Sequence, residues 1–213
     1  MLNLMKNYII LCLVSFFAYN NASIYAQDPQ DNSSIQSENY EERSPIYDFK
    51  EVKLNNMDTI PGFESKENKL KISGTIYKSD GVTPAKDVVL YIEQADEHGD
   101  FDLRMINNKR YVHNRGWIKT DAEGHYTFYT YIPGNDRRYN QLQQLFPIIK
   151  EPSKSEYQIT SFLFDEDPLL SNYCRKRMSK KGDPSRILKL KKVDGIFVTQ
   201  KDIILHDGIV TVE

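Results

Sequence analysis

The sequence predicts an all-β domain: an antiparallel β-sandwich with long loops and at most one short helix. Three observations carry that reading. Apolar residues alternate with polar ones in many short runs, and turn-forming residues punctuate those runs at short intervals. Tyr (14) outnumbers Phe (10), and many of these rings fall inside the alternating runs, where a pleated, half-buried surface suits them. Helical periodicity is confined to one stretch, 169–179. A chain of 213 residues with 39% hydrophobic content has enough apolar surface for one core.

The chain opens with the pattern of an export leader over residues 1–26. Lys6 supplies the positive start, Tyr8 to Tyr19 is a mostly apolar run too short to span a bilayer, and Ala22 and Ala26 frame a small-residue cleavage site before Gln27. An uncleaved anchor is the competing reading. A lipoprotein would need Cys12 at the end of the apolar run, but Leu13 to Phe17 continue it. The domain is therefore expected to be periplasmic or extracellular, with no stable membrane span once the leader is removed. Residues 27–67 are rich in Asn, Ser, Gln and Glu and too poor in phased apolar residues to offset their ordering entropy. They predict a flexible polar lead that touches the domain near 46–49 or 60–63.

The domain proper is expected over 68–213. Leu70, Ile72, Gly74 and Ile76 alternate with Lys71, Ser73 and Thr75, the mark of a half-buried strand. Ser79-Asp80-Gly81 with Pro84 makes a turn, and 87–93 a second strand with Val88, Leu90 and Ile92 on one face. Residues 94–114 are polar and irregular, and predict a long loop. Residues 116–120 resume as a strand, and Asp121-Ala122-Glu123-Gly124 is a hairpin turn. Residues 125–132 carry aromatics on both faces, so this strand is expected to be central. After the stretch 133–152, further strands are expected over 157–164, 187–190, 196–199 and 201–205, with Asp194-Gly195 as a turn and a short helix over 169–179.

The formal net charge of −2 does not suggest binding to nucleic acid or to an anionic membrane. Once a leader is removed, Cys174 has no partner for a disulfide and reads as an inert thiol. No Cys/His cluster has metal-ligand spacing, and neither a Gly-rich phosphate loop nor a nucleophile elbow is present. Asp165-Glu166-Asp167 invites a cation or acid/base role, against the plainer reading of a solvated loop. The basic run 175–181 invites an acidic partner or phosphate head groups, against a solvated helix face. Tyr126, Tyr129 and Tyr131 are read as core packing rather than an aromatic pocket.

Three phrases in order carry a resemblance: ISGTIYKSDGVTPAKDVVLYIEQADEHGDF, RGWIKTDAEGHYTFYTYIPG and PIIKEPSKSEYQITSFLFDEDPLL. Together they resemble the intradiol ring-cleavage dioxygenases, particularly the short exported members, from about 70 to 205. That resemblance implies a β-sandwich and a non-haem ferric ion held by two tyrosines and two histidines. It also implies a catechol whose ring is split by dioxygen between its hydroxyls. Carried over position by position, the first tyrosine falls on Phe101 and the second, just past Pro133-Gly134, on Asp136. The histidines, in a His-x-His ahead of Pro147, fall on Gln144 and Phe146.

Sliding the register brings Tyr139 to the second tyrosine but brings no imidazole, because the histidines are His98, His113, His125 and His206. Fe(III) is a hard ion that needs several anionic oxygen and imidazole donors together. The resemblance therefore implies a scaffold degenerate at its iron ligands, with no resident metal or other cofactor expected. Asp136 with Gln144 offers a hard cation such as calcium only two oxygen side chains.

Two functions follow from different classes. One is a non-catalytic binding module whose partner is a protein, a glycan or an aromatic small molecule. The other is a catechol-cleaving enzyme that holds Fe(III) with substitutes, for which Tyr139, Tyr111 and His113 are the candidates. Phe101 and Phe146 are expected to pack together where the ligands would stand.

Overall fold

The computed structural model describes residues 40–49 and 53–206, and the compact unit concerned begins at Glu41. The expected leader over 1–26 and residues 27–39 of the lead lie outside the described residues. No helix among the described residues is long and apolar enough to cross a membrane.

Two sheets face each other. The first holds β1 (Met57–Thr59), β2 (Lys69–Tyr77), β7 (His125–Tyr131), β12 (Lys191–Val193) and β13 (Ile196–Gln200) in the order β1-β7-β2-β13-β12, and β14 (Ile203–Ile204) also pairs with β2. The second holds β3 (Val89–Gln94), β6 (Arg115–Lys119), β8 (Gln144–Lys150), β10 (Phe162–Phe164) and β11 (Ile187–Leu188) in the order β11-β10-β8-β3-β6, with β9 (Tyr157–Gln158) on β8. A separate hairpin joins β4 (Leu103–Ile106) to β5 (Lys109–Val112). The one α-helix described, α1 (Asn172–Lys181), starts at Ser171, whose Oγ accepts from Cys174 N–H.

The alternation read from the sequence decides which side chains meet between the sheets. Leu70, Ile72 and Ile76 of β2 are fully buried, and so are Leu90 and Ile92 of β3, Ile118 of β6, Phe128 of β7, and Leu145 and Ile149 of β8. At about 1.5–3 kcal/mol for each large side chain removed from water, this layer supplies the main drive to fold. Tyr126 and Tyr131 belong to it, as the core reading of the tyrosines requires, while Tyr129 packs edge-on against Phe63 with centroids 5.7 Å apart. The two sheets are also tied through buried Gln94. Thr130 Oγ donates to Gln94 Oε1, and Gln94 Nε2 donates to the Tyr131 carbonyl at 3.1 Å.

Several expectations are corrected. The sheets are mixed rather than purely antiparallel: β1 runs parallel to β7, β13 and β14 parallel to β2, and β11 parallel to β10. These are strands that reach their neighbours by crossing the fold rather than through a tight turn.

Residues 53–67, expected in the flexible lead, are built into the domain. Met57–Thr59 pairs with β7, Asp58 Oδ2 accepts the Trp117 N–H at 2.7 Å, and Ile46 and Ile60 are buried. The expected loop 94–114 contains the β4–β5 hairpin. Its turn is Asn107-Asn108, at φ of 46° and 64°, a left-handed pair that Asn tolerates and two-residue hairpins require. Residues 144–150 form the strand β8. Its Pro147, which has no N–H to donate, falls in the gap between the pairings to β10 and β9. Residues 157–164 form two short strands instead of one.

The acidic triplet is not a solvated loop throughout. Asp167 is buried and accepts from Gln143 N–H at 2.7 Å, Asn135 Nδ2 at 3.1 Å and Leu169 N–H at 2.9 Å, while Asp165 pairs with Arg175. Arg175 is thus withdrawn from the solvated helix face expected over 175–181.

Between β13 and β14 the chain leaves the ladder at Lys201. Its carbonyl turns over β2 to accept the Tyr126 hydroxyl at 2.6 Å, while its N–H donates to Ser73. This approach needs Gly74, because a Cβ there would lie 2.1 Å from the Lys201 carbonyl oxygen. Gly74→Ala is expected to destabilise the domain by about 1–3 kcal/mol through forced displacement of backbone. Urea unfolding of the variant against the parent measures it, and an unchanged midpoint contradicts the packing described.

Candidate functional site

The site is built on the outer face of the second sheet. Along β8, Leu145 and Ile149 point into the core, so Gln144, Phe146, Ile148 and Lys150 stand on the opposite face. Register then sets their neighbours. Glu93 lies across from Phe146 on one side and from Arg115 on the other, and Tyr91 lies between Ile148 and Trp117. One face thus carries the row Trp117-Tyr91-Ile148 beside the row Arg115-Glu93-Phe146.

Two loops close over the end of this face. Asp96 organises the first, accepting from His98 N–H at 2.8 Å and Asp100 N–H at 3.0 Å. Gly134 belongs to the second. Its N–H donates to the Asp96 carbonyl at 2.8 Å, and a Cβ on it would fall 2.4 Å from the Glu97 carbonyl oxygen. Gln141 Nε2 donates to the Gly99 carbonyl at 3.1 Å. This contact brings Phe101 and Asp136 toward the β8 face.

The four positions singled out from the sequence therefore lie around one end of the second sheet. The Phe101 and Phe146 rings pack at 5.7 Å between centroids and 48° between planes. Asp136 is buried, and its carboxylate accepts from Arg138 Nη2 at 2.7 Å and from Arg138 N–H at 2.8 Å. The hydrogen bond and charge of Arg138 hold the Asp136 carboxyl below the usual carboxylate range. Gln144 Oε1 accepts from Ser161 Oγ at 3.0 Å, and Arg186 Nε donates to the Ser161 carbonyl at 2.7 Å.

Tyr139, Tyr111 and His113 do not gather here. Tyr139 is 79% exposed, with the Arg138 guanidinium 5.6 Å from its ring centroid. Tyr111 and His113 line a cavity of about 430 Å³ that Asp58, Met57, Arg115 and Trp117 also line. In its wall the Arg115 guanidinium stacks 4.0 Å from the Tyr111 ring and 4.8 Å from the Trp117 ring. Burial, and then the Arg104 cation, push the His113 pKa down, so the imidazole favours its neutral form. Among the described residues no group of three or more His, Cys, Asp or Glu is placed to hold a metal ion.

The contact expected near 46–49 covers the middle of the face. The short 3-10 turn Pro45–Tyr47 lies over β3 and β8, with the Pro45 carbonyl accepting Trp117 Nε1–H at 3.0 Å. The Asp48 side chain, next to it, is 5% exposed and pairs with Lys109 Nζ at 2.8 Å and Arg43 Nη2 at 3.0 Å. Beneath this turn Tyr91 donates to Glu93 at 2.5 Å, and burial raises both pKa values. The only sequence signal was the apolar Ile46, which is buried there.

No protein-family model and no curated protein matches the chain. Solved structures do match. The dioxygenase domain of a dioxygenase–carbohydrate-binding protein fusion from the cellulolytic bacterium Streptomyces sp. SirexAA-E aligns at a TM-score of 0.53 and 19% identity, over 74% of this chain and 91% of that one. An intradiol ring-cleavage dioxygenase from Tetranychus urticae aligns at 0.54 and 16%, over 75% and 92%. A 3-chlorocatechol 1,2-dioxygenase from Rhodococcus opacus 1CP aligns at 0.51 and 19%, over 73% and 68%. The fold is that of the intradiol ring-cleavage dioxygenases, as the three phrases imply.

The covering turn yields a pH signature. Tyr47 donates to Glu156 at 2.6 Å, and its pKa is pushed up from 10.0 to about 12, first by burial and then by the Glu156 carboxylate. A raised phenol pKa means that the folded protein holds this proton more tightly than the unfolded chain. Its stabilisation is complete below the ordinary value and is lost as pH climbs toward the folded one. Tyr47→Phe is expected to cost about 1 kcal/mol at about pH 8, with the gap from the parent shrinking by about pH 11.5. Paired urea titrations at the two pH values read it; a gap that widens with pH refutes the assignment.

Proposed function

We propose that the chain is an exported, non-catalytic binding module on an intradiol dioxygenase scaffold. The observation that carries this reading is the chemistry of the side chains at the ligand positions. Phe101 and Phe146 offer phenyl rings in mutual contact and no lone pair. The Asp136 carboxylate is engaged by Arg138, and the Gln144 amide oxygen by Ser161. A ferric ion needs several anionic oxygens and imidazoles converging on one point, and this set does not fit it. No catalytic step is therefore derived through a metal at this site.

The catalytic alternative requires Tyr139, Tyr111 and His113 to converge. Tyr139 projects into solvent, while the other two line the cavity beside Trp117. That arrangement favours the binding module. Export rests on the leader pattern of residues 1–26.

The test pairs metal analysis with an activity assay. Mature protein, loaded with ferric salt and desalted, is expected to carry far less than one iron per chain. It is expected to stay colourless, since tyrosinate-to-iron charge transfer needs a bound phenolate. Catechol and protocatechuate are expected to yield no ring-opened product. A coloured protein holding one ferric ion and cleaving either substrate overturns the reading.

A further inference from the structure

Charge in this chain is segregated. Residues 172–192 hold nine Lys or Arg and one acidic residue, Asp183, a net of +8, so the remainder of a chain with formal net charge −2 stands at −10. The fold places this segment on one side of the sandwich. β11 is an outer strand of the second sheet and β12 an outer strand of the first, so residues 189–190 cross from one sheet to the other. α1 leads into that crossing through the 3-10 turn Pro184–Arg186. On the opposite side β1 meets β6.

Three of the nine cations have partners within the domain: Arg175 pairs with Asp165, Arg186 donates to Ser161, and Lys192 Nζ lies 5.4 Å from the Phe197 ring centroid. Lys192 and the other six, Lys176, Arg177, Lys180, Lys181, Lys189 and Lys191, are exposed. Four of them sit on α1 at i, i+1, i+4 and i+5, an arc of about 140° at 100° per residue. A solvated helix face ordinarily intermixes acids and bases. Here Lys176 with Lys180 and Arg177 with Lys181 are like-charge i, i+4 pairs, each costing about 0.2–0.5 kcal/mol. Protection of a sheet edge accounts for Lys191 and Lys192 on β12. It does not account for the helix, which lies outside both sheets and buries no residue.

We propose that this side of the sandwich docks an acidic polysaccharide, a flexible chain with a carboxylate or sulfate on successive sugars. The surface lacks what the other polyanion-bearing partners require. α1 has no apolar stripe to enter a bilayer interface, Tyr173 being its one large exposed hydrophobe. A single exposed ring is too few to form a base-stacking platform for single-stranded nucleic acid. Among the described residues of α1, Tyr173 alone is a large exposed hydrophobe, too little for the apolar centre of a tight protein interface. What the surface does offer is spaced point charges, and six of the seven are lysines rather than bidentate arginine forks. Such an array matches a repeating anion by charge and spacing. The seven exposed cations include none of positions 101, 136, 144 and 146, so docking on them stands whether or not those positions hold a metal.

The experiment uses the mature full chain on immobilised heparin and on polygalacturonate. Retention is expected on both, with release by salt as counterions return. K176E/R177E/K180E/K181E is expected to bind at least about tenfold more weakly. The control K78E/K86E/R110E/R137E, of equal net charge and exposed elsewhere, is expected to bind like the parent. Melting curves check each fold, and K189Q/K191Q/K192Q, off the helix, is expected to weaken retention as well. Flow-through of the parent overturns the proposal, as does equal loss in the control. Tighter binding to phosphatidylglycerol vesicles or to duplex DNA than to either polysaccharide also overturns it.

Discussion

The candidate site depends on the alternation of one strand. Along β8 the odd positions Leu145 and Ile149 are taken by the core, which commits Gln144 and Phe146 to the outer face. A one-residue slip would expose the core pair and bury Gln144 and Lys150, a change of many kcal/mol. The inner face fixes where the outer side chains stand, while the outer face makes its own contacts, Phe146 with Phe101 and the Pro45–Tyr47 turn over β3 and β8.

The side chains at positions 101, 136, 144 and 146 each have a local contact. Two rings in contact need no partner beyond each other and shed water from their shared edge. The two polar side chains each have a local partner, Arg138 for Asp136 and Ser161 for Gln144. A buried carboxylate without such a partner would be costly. Arg138, two residues from Asp136, supplies charge and fork geometry together, so Asp136 forms one half of a structural pair.

Much of the fold was legible because period two is a local signal. The runs 70–76 and 125–132 and the Asp121–Gly124 turn needed no knowledge of the partner strand. The parallel pairings were not legible: what lies beside β2 is decided by Ile196–Ile204, more than a hundred residues away. β8 was obscured by Pro147 and by apolar residues on both faces, Phe146 and Ile148 as well as Leu145 and Ile149. The β4–β5 hairpin was obscured because all of Leu103–Ile106 is exposed, leaving no burial to impose alternation; only Asn107-Asn108 marked it. At the site, the contact of Phe101 with Phe146 followed from the positions that the three phrases imply. Their partners, and the Pro45–Tyr47 turn over Trp117, depend on contacts between segments distant in sequence. Asp167 shows the same limit, since three adjacent acids look alike until one of them is buried under three donors.

The two faces of the molecule differ in how their charges are settled. Around the covering turn every prominent charge has a close neighbour of opposite sign or an aromatic ring: Asp48 with Lys109 and Arg43, and Arg115 between Tyr111 and Trp117. Desolvation enforces this, since an unpaired ion there would cost several kcal/mol. On the α1 side water screens the charges, so nothing in folding requires them to be paired, and nothing in folding requires them to be alike either. Like-charge neighbours at helical spacing reduce helix stability slightly and raise the potential over the whole surface. Folding gains nothing from that arrangement, whereas an external polyanion would. The asymmetry therefore sets a paired, desolvated face against one whose charges act outward through the surface potential.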